Sequence, residues 1–92
     1  MTVGWGPTAL RDIESLHAYV AEDNVAAAAE TVERILSGIE ALSRFPEMGR
    51  KGRVPGTREL IISPYVVVYR VSEDTVELIA IIHSARKWPD AF

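Results

Sequence analysis

The apolar residues of this chain change their spacing once, and the change divides it into a helical half and a strand-forming half. Between residues 25 and 42 they recur at intervals of three and four, which predicts a helix of about five turns with one apolar face. From residue 57 onward, β-branched and aromatic residues dominate three short runs, a composition typical of strands. A helical layer packed on a sheet satisfies both patterns.

A shorter helix precedes the long one. Pro7 suits the first turn of a helix because its missing N–H would have no partner there, and apolar residues follow at helical spacing up to Val20. The pattern predicts a helix over residues 7–21, and the polar run Glu22–Asn24 can cap the next helix. Two helices with so short a connection are expected to form an antiparallel hairpin. Residues 2–5 predict a short edge strand before them.

The strand-forming half predicts a three-stranded antiparallel meander. The strands are expected at residues 57–62, 65–71 and 75–83, with turn-forming residues between them. A turn centred on the Glu-Asp pair at residues 73 and 74 places Arg70 opposite Glu77, which joins opposite charges across the strands.

Strict alternation along this hairpin predicts two unlike faces. One face is apolar apart from two tyrosine hydroxyls, and we expect the helices to cover it. The other face combines Ile79, Ile81 and His83 with charged residues, which is more aliphatic surface than a solvated sheet face needs. We therefore expect a partner to cover part of that face.

Length and composition limit the class of protein. The chain has 92 residues, 48% of them hydrophobic, and no cysteine, so we expect one domain over residues 1–92 without disulfides. The sequence has no signal-peptide pattern and no apolar run of about 20 residues, which predicts a cytoplasmic protein without membrane contact. Two histidines and no close cluster of ligands predict neither a metal site nor a cofactor.

Charge is distributed unevenly along the chain. The net charge is −3, which disfavours a general nucleic-acid binder. However, residues 1–43 carry a net −5, and residues 44–58 hold five basic residues against the single acidic residue Glu47. This basic segment predicts a contact for an anion or a partner. A solvated loop without a ligand is the alternative.

Short motifs occur in a characteristic order along nearly the whole chain. They are Trp5 before a helix with Asp12-Ile13 and Tyr19, Phe45-Pro46 with Gly49-Arg50, Gly56-Thr57-Arg58-Glu59-Leu60, the run Tyr65–Val71, and His83 with Arg86 and Trp88-Pro89. With the order β-α-α-β-β-β, they resemble the RelE/ParE superfamily of toxins from bacterial type II toxin–antitoxin modules, often called plasmid stabilisation proteins. The resemblance implies an α+β fold in which an N-terminal strand and an α-helical hairpin pack on an antiparallel sheet.

The resemblance also implies a growth-inhibiting toxin that a cognate antitoxin neutralises in a hetero-oligomer. Two activities remain open. ParE-like members inhibit DNA gyrase without known catalysis, whereas RelE-like members are endoribonucleases that cleave mRNA on the ribosome. The acidic long helix, which ribosomal RNA would repel, and the lack of a terminal tyrosine favour ParE-like activity. A third alternative is a non-toxic member that only binds an antitoxin.

The motifs assign candidate residues to these alternatives. Cleavage by a 2′-hydroxyl needs a base, an acid and cations around one phosphate. If the chain is RelE-like, Arg58 and His83 match the family's catalytic positions, and Glu47 or Glu59 is available as the base. The predicted contacts for a target or an antitoxin are Arg50, Lys51, Arg53, Ile79, Ile81, Arg86 and Trp88.

Overall fold

The computed structural model describes residues 1–89 and residue 92, and the predicted α+β fold is confirmed. Helices α1 (Pro7–Ala21) and α2 (Val25–Leu42) have the expected bounds. The strands are β1 (Thr2–Trp5), β2 (Arg50–Lys51), β3 (Arg58–Ile62), β4 (Tyr65–Ser72) and β5 (Thr75–His83). Neither helix of the described chain combines the length and apolarity needed to cross a bilayer.

A side-chain cap stabilises the start of α2, and each helix packs through one apolar face. At the start of α2, Asn24 Oδ1 accepts a hydrogen bond from the Ala27 backbone N–H at 2.9 Å, which satisfies one of the free amides of the first turn. Ile35, Ile39 and Leu42 of α2 are buried against the sheet and α1. Each such aliphatic side chain contributes about 1.5–3 kcal/mol on burial, so packing rather than helix propensity holds the hairpin in place.

The five strands form one mixed sheet in the order β1-β5-β4-β3-β2. Strands β3, β4 and β5 form the predicted antiparallel meander. Two features of the sheet differ from the prediction. Strand β1 pairs in parallel with the first half of β5, and the basic loop contains the two-residue strand β2, which pairs with the start of β3.

The register of the last hairpin changes along its length. Arg70 lies opposite Glu77 as predicted, but two residues before Arg70 the pairing has shifted, so that Val68 lies opposite Ala80 and Ile79 is the additional residue. A bulge of this kind reverses the alternation of the strand beyond it. No turn or glycine signal in the sequence marks its position.

The bulge corrects one predicted site residue. Ile81 was expected on the face away from the helices, but it turns toward them and is 4% exposed within the main core. Its place on the other face is taken by Ala80 and Ile82, while Ile79 packs beside them half-buried. The prediction that the Ile81 side chain lies on the face away from the helices is therefore wrong.

The face of the sheet away from the helices, called the open face below, is partly covered by the chain itself. Its members are Glu59, Ile61, Val66, Val68, Arg70, Glu77, Ala80 and Ile82. Residues 84–89, called the tail, return across this face, and Trp88 packs on the buried cluster of Val68, Ala80 and Ile82. Part of the cover that the sequence led us to expect from a partner is thus supplied by the tail.

Candidate functional site

A buried carboxylate organises the basic segment. Glu59 lies on the open face and is only 2% exposed. Its Oε1 accepts a hydrogen bond from Arg50 Nη2 at 2.9 Å, and its Oε2 accepts from the Arg53 backbone N–H at 2.8 Å and from Arg53 Nε at 3.2 Å. One carboxylate therefore fixes two arginines and the loop that follows β2.

The protonation of Glu59 follows from these contacts. Burial alone would raise the pKa of Glu59, but hydrogen bonds from the Arg53 backbone and from the Arg50 and Arg53 side chains outweigh burial and hold the pKa below its usual range. Glu59 is therefore ionised at neutral pH, with its lone pairs engaged by the arginines. It is poorly suited to take a proton from a substrate.

Arg53 connects this cluster to the tail. Its guanidinium lies 3.6 Å from the centroid of the Trp88 ring, in a cation–π contact. Three of the predicted contacts, Arg50, Arg53 and Trp88, thus meet around Glu59 at one side of the open face. Lys51, the other residue of β2, is exposed and lies opposite Arg58, on the other face of the sheet.

On the helix side of the sheet, two further side chains fix the segment between α2 and β2. The Tyr69 hydroxyl donates to the Pro46 carbonyl at 2.8 Å and accepts from the Gly49 N–H at 2.9 Å. Arg58 Nη1 donates to the Gly49 carbonyl at 2.8 Å and to the Glu47 carbonyl at 3.4 Å. Burial raises the pKa of the Tyr69 hydroxyl, so it remains protonated and able to donate.

The two catalytic candidates are not brought together. Arg58 lies opposite Tyr69 and His83 lies opposite Tyr65, on the strands that flank β4. Four residues along a strand and two strand spacings place their backbones about 16 Å apart. The Arg58 guanidinium also points toward Gly49 at the β2 edge, away from β5.

His83 has local partners of its own. It is exposed at the end of β5, and its ring meets the Tyr65 ring edge-to-face with the centroids 5.4 Å apart. Its Nδ1 accepts a hydrogen bond from the Ala85 N–H at 3.1 Å, at the turn into the tail. These contacts indicate that the His83 side chain stabilises the turn into the tail.

Beyond Leu78, none of the described strands pairs with the outer edge of β5, because β1 pairs only with its first half. This stretch is the free edge of β5. On this edge the Ile81 N–H donates to Asp12 Oδ2 of α1 at 2.9 Å. Shallow grooves lie on either side of the edge, and Asp12 and Arg86 line both of them. One groove extends to exposed Tyr19.

The predicted site residues therefore fall into separate groups. Arg50, Arg53 and Trp88 lie around Glu59, whereas Lys51 lies opposite Arg58 and points to the other face of the sheet. Arg86 lies at the free edge of β5, and Ile79 is half-buried beside the open face. Their role in binding a target or antitoxin stays a prediction. Within residues 1–89 and 92, no three metal-binding side chains form a group.

Sequence reasoning missed the fixing roles of Glu59, Tyr69 and Asp12. Glu59 had a signal, since it is the acidic residue that directly follows the basic segment. The other two had none, because their partners are backbone groups 23 and 69 residues away in the chain.

Comparison with known proteins identifies the family. A family model described as the ParE toxin of type II toxin–antitoxin systems, parDE, matches residues 3–88. The provisionally named toxin Y4kP of Sinorhizobium fredii is 39% identical over 89 residues, which cover 95% of this chain and 92% of the relative. Toxin RelE3 of Caulobacter vibrioides is 33% identical over 94% of this chain and 97% of its own length.

Solved structures share the fold. The chromosomal ParDE toxin–antitoxin system of P. aeruginosa matches with a TM-score of 0.80 at 24% identity, over 90% of this chain and 95% of that chain. The RelBE2 toxin–antitoxin complex of Mycobacterium tuberculosis matches with a TM-score of 0.59 at 28% identity, over 89% and 95%. With the motifs and the topology described above, these matches show that the chain belongs to the ParE toxin family of type II toxin–antitoxin systems, within the RelE/ParE superfamily.

Proposed function

We propose that this toxin arrests growth by ParE-like inhibition of DNA gyrase and that it is not a nuclease. The separation of Arg58 from His83 carries the proposal. General acid–base cleavage of RNA needs its groups within hydrogen-bond reach of one phosphate. Two groups anchored about 16 Å apart on a rigid sheet do not meet that requirement.

Two of the other groups expected around the phosphate, Glu59 and Arg58, support the same conclusion. Glu59 is covered by Arg50 and Arg53, and its low pKa makes it a weak proton acceptor. Arg58, the cation expected at the phosphate, already hydrogen-bonds two backbone carbonyls. Arg50, Arg53 and Arg58 thus serve the chain's own structure, which favours a protein target over RNA cleavage.

Ribosome-dependent mRNA cleavage is the second candidate, because the relatives include a Caulobacter protein named Toxin RelE3. Two assays on the purified toxin separate the candidates. We expect inhibition of DNA supercoiling by gyrase and intact mRNA in a ribosome-containing extract. His83→Gln should leave growth arrest unchanged, because His83 shapes a turn and protonates nothing.

Each result decides between the alternatives. Cleaved mRNA with unaffected supercoiling would overturn the proposal, as would relief of growth arrest by a folded His83→Gln variant. Expression without an antitoxin tests toxicity itself. A chain that arrests no growth is the non-toxic, antitoxin-binding alternative.

The antitoxin partner is part of the proposal. Two structural matches come from toxin–antitoxin systems, and this chain offers the free edge of β5 with grooves on both sides. An extended antitoxin segment can add to such an edge through main-chain hydrogen bonds, displacing Asp12 from the Ile81 N–H. The antitoxin would then contact Ile79 and Arg86 beside the edge.

This placement predicts the effect of charge near the edge. Tyr19→Lys, in the groove, should weaken antitoxin binding about tenfold or more, because the interface would bury an unpaired ammonium group. Ile79→Lys should act in the same direction. Leu36→Lys, on the exposed side of α2, is the matched control and should bind normally. Equal affinity of Tyr19→Lys and Leu36→Lys in a titration would refute the placement.

A further inference from the structure

We infer that residues 44–51, called the tip below, form the surface through which this toxin binds its target, and that the target presents an apolar pocket surrounded by acidic groups. The inference rests on the proposed function, in that the target is a protein. It adds a binding surface that is distinct from the free edge of β5 proposed for the antitoxin, called the antitoxin edge below. This surface centres on two residues outside the predicted contacts, Phe45 and Met48.

Two large apolar side chains are displayed at the tip. Phe45 is 61% exposed and Met48 is 47% exposed, with Pro46 between them. Single exposed apolar residues are common, but an aromatic ring and a flexible thioether that line one shallow depression are a typical binding surface.

The tip is held rigidly from behind. Tyr69 and Arg58 bond its carbonyl and amide groups, as described above. Gly49 is required there, since a side chain would meet the Tyr69 hydroxyl at 2.5 Å. A buried hydroxyl, a guanidinium and a glycine are thus all used to fix a loop whose outer side is apolar. Such preorganisation lowers the entropy that a loop loses on binding.

Charge around the tip defines the partner. Arg44 and Lys51 are exposed at its two ends, whereas Glu47 is its single acidic residue. Both side chains of the Arg44–Glu40 ion pair are exposed, so the pair is weak. Residues 1–43, which include both helices, carry a net −5, so an acidic partner is repelled from the helical hairpin and attracted to the tip.

The tip and the antitoxin edge do not overlap. The tip ends with β2, and strands β3 and β4 lie between β2 and β5. Three strand spacings separate β2 from β5 by about 14 Å. The two surfaces therefore predict separable losses of function. A tip variant should lose its target and keep its antitoxin.

The test is a double substitution, Phe45→Ser with Met48→Ser, in the full chain. Both side chains are exposed, so thermal unfolding should remain close to wild type. The concentration needed for half-inhibition of purified DNA gyrase should rise at least about tenfold, and growth arrest on induction should be lost. Affinity for the antitoxin encoded beside the toxin should stay within about twofold. Val25→Ser with Leu36→Ser, two exposed apolar residues of α2, is the matched control and should keep full toxicity.

The outcomes separate this inference from the proposed function. Full potency of the folded tip variant overturns the inference, and so does equal loss of antitoxin binding. If the wild type arrests growth without inhibiting gyrase, the proposed target is wrong, and growth arrest by the tip variant still decides the inference. Lys51→Glu provides an independent charge test, because it should weaken inhibition and reduce its sensitivity to salt.

Discussion

Two irregular segments flank the sheet, and they are held by opposite means. Residues 46–57 are fixed by two buried polar groups, the Glu59 carboxylate and the Tyr69 hydroxyl, and by the half-buried Arg58. Among the described residues, the backbone of the tail donates hydrogen bonds only at its start, from Ser84, Ala85 and Arg86. Beyond those, within the described chain, it is attached by the side chain of Trp88.

This difference assigns different tasks to the two segments. Directional hydrogen bonds determine one geometry, which suits a surface that must be ready when a partner arrives. An apolar contact is non-directional, and another apolar side chain can replace it. The first segment is therefore suited to presenting side chains, and the tail is the easier of the two to displace.

The largest expected effect comes from the centre of the fixed segment. Glu59→Ala should lower the free energy of unfolding by about 2–3 kcal/mol, because the Arg53 N–H and two guanidiniums lose a charged acceptor. Both arginine side chains are about half exposed and regain water, which keeps the loss moderate. Urea unfolding at pH 7 measures the effect.

The pH dependence isolates the charge of Glu59. Its pKa is lowered in the folded protein, so its stabilising effect is complete above the pKa of an unfolded carboxyl, about 4.3. The effect is lost as pH falls through the lower folded pKa. The stability difference between wild type and Glu59→Gln should thus be constant at neutral pH and shrink below about pH 4. A difference that grows toward acid pH would contradict this assignment.

The two segments also differ in how much the sequence reveals. Both helices were predicted with their observed bounds, because each has an apolar face whose residues recur over several turns, so the pattern does not depend on any single residue. The Arg70–Glu77 pairing was predicted because a short turn determines a nearby register. The motifs that carried the family resemblance lie in these same regular elements and in the loops that join them.

Long-range polar contacts escaped prediction. From the sequence, Tyr69 looks like an ordinary core residue, although its hydroxyl bonds Pro46 and Gly49 within the basic segment. No sequence feature near Ile79 indicates the bulge, yet the bulge exchanges the faces of the sheet on which Ile81 and Ile82 lie. Nothing in an alternating sequence shows where a bulge lies, and one additional residue reverses the predicted face of every side chain after it.

The smallest expected effect concerns the tail, and it tests the comparison most directly. Trp88→Ala should cost only about 1 kcal/mol, well below the 3–5 kcal/mol typical of a fully buried tryptophan, because the freed tail regains conformational entropy. Limited proteolysis should then cut after Lys87 much faster than in the wild type. Trp88→Phe is the matched control.

The indole N–H gives this control its discriminating power. It is buried and has no acceptor among the described residues, so Trp88→Phe removes an unsatisfied donor while retaining an aromatic ring beneath Arg53. Its stability should lie within about 0.5 kcal/mol of the wild type. A loss of 3 kcal/mol or more in Trp88→Ala would show that the tail is an integral part of the core. The contrast between a fixed segment and a movable one would then fail.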